Sequence, residues 1–77
     1  QTLDGIHVTF YENQREGWQN KEVWTLMKQL PSWAVVEYIK TDSERHIVIC
    51  SNRVCMAPVS SIDQAIEIAL DTCRLVN

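Results

Sequence analysis

Cysteine and histidine are the residue types in this sequence best suited to chemistry, and there are five of them: Cys50, Cys55, Cys73, His7 and His46. They are zinc-donor types, yet structural zinc sites bring their ligands as close pairs with roughly two to four residues between them and a matching second pair. Cys50 and Cys55 have no such second pair. A Cys–His nucleophile also fails, because His46 and Cys50 would share one face of a strand but lie about 13 Å apart along it, beyond hydrogen-bond reach. Ser51, Ser60 and Ser61 lack a Gly-x-Ser-x-Gly setting, and Gly5 and Gly17 cannot form a phosphate-cradling loop. The chain is therefore read as a non-enzyme with no catalytic residue, no metal site and no cofactor.

The cysteines carry a structural expectation instead. If Asn52 and Arg53 form a two-residue loop, Ser51 faces Val54, Cys50 faces Cys55 and Val48 faces Ala57. Opposed residues of this kind approach within the roughly 4.4–6.8 Å Cα spacing that a disulfide needs, so a cross-strand bridge is geometrically open. An odd cysteine count nevertheless fits a reducing compartment, and the expected state is free, buried thiols in the cytoplasm.

Six elements must position these residues. Gly5 to Tyr11 alternates, with Ile6, Val8 and Phe10 on one side and His7, Thr9 and Tyr11 on the other, which predicts a strand. Asn20 stands as a helix N-cap before Val23, Leu26, Met27 and Leu30 at helical spacing, and Pro31 ends that helix near Leu30. Trp33–Lys40 and Arg45–Cys50 are β-rich runs separated by Thr41-Asp42-Ser43-Glu44, the pattern of a hairpin. A short strand follows to Pro58. Ser60 or Ser61, with Asp63 or Gln64 three residues on, opens a capping box for a last helix running to Cys73, whose apolar face carries Ile62, Ala65, Ile66, Ala69, Leu70 and Cys73. The predicted fold is a two-layer α+β domain over residues 1–77, of order β-α-β-β-β-α, with a four-stranded, mainly antiparallel sheet and both helices on one face.

The surface is where a function is expected. Net charge is −3, from ten acidic and seven scattered basic residues, which disfavours a general nucleic-acid binder because phosphate binding needs concentrated cations. No run of about 18 apolar residues exists to span a membrane. The second strand is apolar on both sides, with Trp33, Val35 and Ile39 on one and Ala34, Val36 and Tyr38 on the other, and so is the third. Two helices cannot cover both faces of the sheet, which leaves an apolar surface for another protein or a second copy of the chain. Trp18 and Trp24 are expected as exposed anchors beside it, and Asp63, Glu67 and Asp71 form an acidic stripe one helical turn apart on the last helix. These features describe a small protein-binding module, an inhibitor or accessory protein such as a phage or mobile element would encode to block a host enzyme by occlusion. The alternative is a nucleic-acid-binding module that stacks bases on Tyr11, Trp33 and Tyr38 of the sheet.

Overall fold

The computed structural model describes residues 5–51 and 54–74. It contains, in order, β1 (Ile6–Asn13), α1 (Asn20–Met27), β2 (Val35–Thr41), β3 (His46–Ser51), β4 (Val54–Cys55) and α2 (Ile62–Arg74). The predicted class and element order are those observed. The four strands form one sheet in the order β2-β1-β3-β4, with β1 parallel to β2 and the other two pairs antiparallel.

The expected β2–β3 hairpin is not formed, because β1 lies between the two strands. β1 pairs from His7–Val35 to Asn13–Thr41 on one side and from Ile6–Ser51 to Tyr11–His46 on the other. It holds the central place because its inward residues Ile6, Val8 and Phe10 are the most apolar set in any strand, and a central position buries them almost completely. The short loop after β2 must then step across the end of β1, a gap of two strand spacings or about 10 Å. Asn13, at that end, holds the crossing by donating from Nδ2 to the carbonyl oxygens of Ser43 at 2.7 Å and Asp42 at 3.4 Å.

One core cluster joins Ile6, Val8, Phe10, Ile47 and Ile49 of the sheet to Trp18, to Val23 and Leu26 of α1, and to Ala65 and Ala69 of α2. α1 opens with Glu22 accepting from the backbone N–H of Gln19, so the cap stands one residue earlier than the expected Asn20. α2 opens as predicted, with the Ser61 hydroxyl accepting from the Gln64 N–H at 3.2 Å. Its buried stripe keeps Ala65 and Ala69 of the expected face, with Ile62 and Ile66 packed against the core, but not Leu70. Ala65, Ala69 and Thr72 are buried while Leu70 is 43% exposed, so the helix rests on its small residues, with Ile62, Ile66 and Ile68 flanking. Two alanines facing the other elements let the helix approach more closely than isoleucine or leucine would. The Cys73 side chain, expected on that face, lies outside the described residues.

Candidate interaction surface

Sheet register sorts the exposed side chains. Val36 and Tyr38 share the core face with Val8 and Phe10, whereas Val35, Glu37 and Ile39 share the opposite face with His7, Thr9 and Tyr11, and β3 adds His46, Val48 and Cys50 to it. The second face is therefore not uniformly apolar, because inserting β1 places His7, Thr9 and Tyr11 along its middle. Its apolar character gathers at β2, where Val35 is 53% and Ile39 42% exposed.

β2 is also an edge. Among the described residues only β1 pairs with it, so one row of its backbone N–H and C=O groups faces outward along seven residues. Edges of this length are usually protected by charge, proline or a bulge. β2 has no proline, and its two charged side chains turn toward β1: Glu37 accepts a hydrogen bond from His7 Nε2, and Lys40 donates to Glu12 at 3.4 Å.

The tryptophans divide. Trp18 is buried, which corrects its assignment as an exposed anchor. Its ring meets the Phe10 ring edge-on at 6.1 Å, its Nε1 donates to the Tyr11 carbonyl at 3.1 Å, and the Arg45 guanidinium lies 4.2 Å over its centroid. The chain before α1 folds over the core edge and is fastened there, since the Trp18 N–H donates to Glu12 Oε2 and Arg45 donates to the Gly17 carbonyl. Trp24 and Trp33 do lie at the surface, 66% and 60% exposed. Trp33 sits in the turn closed by the Ala34 N–H and the Pro31 carbonyl rather than in β2. Asp63, Glu67 and Asp71 are all exposed on α2.

The aromatics proposed for base stacking do not form one platform. Tyr11 stacks on His46 at 4.4 Å on the outer face, while Tyr38 stacks on Phe10 at 5.4 Å on the core face. An open groove of about 880 Å³ runs past Asn13, Glu16, Asp42 and Arg45 at one end of the sheet. Its Asn13 and Arg45 side chains are already engaged, the latter 3.5 Å from Glu16 and Glu22.

A disulfide joins Cys50 to Cys55, which corrects the expectation of free thiols. The proposed Ser51–Val54 and Cys50–Cys55 pairings are present, although the Asn52-Arg53 loop itself lies outside the described residues. The register does not continue to Val48–Ala57. The Met56 N–H still reaches the Ile49 carbonyl, but Ile47 then bridges Val59, so three steps along β3 are matched by four along the returning chain. Pro58, with no N–H to donate, falls in the irregular stretch. Among the described residues there is no cluster of three or more metal-ligating side chains, and no helix is long and apolar enough to cross a membrane.

Comparison with protein-family models, with curated proteins and with solved structures found no significant match to this chain.

Proposed function

We propose that this protein is a small binding module that docks an extended segment of another protein along β2, acting as an inhibitor or accessory factor by occluding what it binds. The exposed β2 edge carries this reading. Its outward backbone groups offer main-chain hydrogen bonds to an added strand, and Val35 and Ile39, two pleats apart on one face, offer apolar contacts to alternate side chains of that strand. An added strand would bury both, each contributing roughly 1.5–3 kcal/mol if fully covered. The pairing of Glu37 and Lys40 with His7 and Glu12 of β1 favours the same occupant, because both side chains lean away from the open edge.

The test is the double variant Val35→Lys/Ile39→Lys, with Asp63→Lys/Glu67→Lys as a second arm. Cross-linking in cell extract followed by mass spectrometry should identify a protein joined to β2 in the wild type, and the strand variant should bind that protein at least tenfold more weakly. Full retention of binding by the strand variant, or loss in the helix variant alone, would move the interface to α2. Light scattering on the purified protein separates a second copy from a different protein, since a dimer broken by the strand variant means self-pairing. Salt-sensitive binding of mixed-sequence DNA or RNA would favour the nucleic-acid alternative.

A further inference from the structure

The two strand registers that meet at Cys50 place Cys55 on one side of it and His7 on the other. Cys55, Cys50 and His7 thus form one row across three strands, on the sheet face away from the core. His7 is held from beyond the row by Glu37, whose carboxylate accepts from Nε2 and leaves Nδ1 as the remaining polar atom of the ring. Directly opposed side chains in an antiparallel pair have Cβ atoms about 4.5–5.5 Å apart, so the His7 and Cys50 side chains rise from neighbouring positions on one face of the sheet.

Exposure gives this row a direction. Cys55 is exposed and Cys50 half-buried, so a thiol arriving from solvent meets Cys55 first. The bridge spans only five positions of the chain, where cross-linking constrains the unfolded state less than it would across a long loop. An exposed bridge over a short loop is the kind that exchanges, whereas disulfides that hold a fold together are thermodynamically resistant to reduction.

We propose that Cys50–Cys55 is a thiol–disulfide exchange site acting on dithiols, with Cys50 as the leaving sulfur and His7 as the group that stabilises it. A substrate thiolate attacks Cys55 Sγ; the new bond joins substrate sulfur to Cys55, the Cys50–Cys55 bond breaks, and its electron pair stays on Cys50 as a thiolate, with His7 at the opposed position on β1. The second substrate thiol, deprotonated, then attacks the first substrate sulfur. The substrate leaves as a disulfide, oxidised by two electrons, and Cys55 leaves as a thiolate. The two protons lost by the substrate are taken up by Cys50 and Cys55, so the protein ends as a dithiol.

The test is the rate at which dithiothreitol opens the bridge, read by quenching, differential alkylation and mass mapping so that Cys73 is counted separately. His7→Gln should slow opening roughly three- to tenfold, as expected when the group that stabilises the leaving thiolate is removed. His7→Lys should recover most of that rate by placing a positive charge at the same position. Wild-type protein equilibrated with reduced and oxidised glutathione should hold both forms in measurable amounts. A bridge that stays fully oxidised throughout, or equal opening rates in wild type, His7→Gln and His7→Lys with circular dichroism showing all three folded, would overturn the proposal.

Discussion

Gly17 carries a constraint out of proportion to its size. A β-carbon there would stand 2.9 Å from Glu12 Oε2, the oxygen that accepts the Trp18 N–H at 3.1 Å. Gly17→Ala should therefore move the flexible Glu12 carboxylate off its donor and cost about 0.5–1.5 kcal/mol, the net worth of the one hydrogen bond lost. Chemical denaturation of Gly17→Ala, Glu12→Ala and the double variant would check this. Because both changes remove the same hydrogen bond, the double variant should lose much less than the sum of the singles; additive losses would mean that the two residues act separately. The same small region shows why the sequence presents Trp18 as an anchor and the fold does not. Its polar neighbours Arg15, Glu16, Gln19 and Asn20 suggest exposure, yet Arg45, 27 positions away, covers its face.

At the level of elements, α2 turns on side-chain size. Its spacing is legible in the sequence, and Ser61 caps it as the Ser-x-x-Gln pattern predicts. What the pattern leaves open is which residues of a wide apolar arc point inward, since Ile62, Ile66 and Leu70 on one side and Ala65, Ala69 and Thr72 on the other both satisfy a helical period. The structure buries the small set. Ala69→Leu should accordingly destabilise the fold by about 1–3 kcal/mol through overpacking, whereas Leu70→Ala, at a position 43% exposed, should cost less than about 1 kcal/mol. Thermal melts of the two variants would decide: the reverse order would mean that Leu70 is the buried residue. The β3–β4 pairing was more readily legible, because a two-residue loop dictates which positions oppose one another and puts Cys50 against Cys55.

For the whole molecule, the consequence of the strand order is that β2, and not the strand next to it in sequence, takes the edge. Val35→Lys/Ile39→Lys should leave the melting temperature of the isolated protein within a few degrees of wild type, since both side chains lie outside the core cluster. A large drop would show that these residues support the fold instead of waiting for a partner. Composition, alternation and helical spacing, all properties of neighbouring residues, determined by themselves that the chain forms four strands and two helices in the order observed. Tertiary structure alone decided that β1 is central, that the loop after β2 bridges its end over Asn13, that Trp18 is covered by Arg45 and that His7 meets Cys50. Each of these joins residues far apart in the chain. Local pattern states which residues seek burial; only the competition among all the strands for the most buried place determines which neighbours they find.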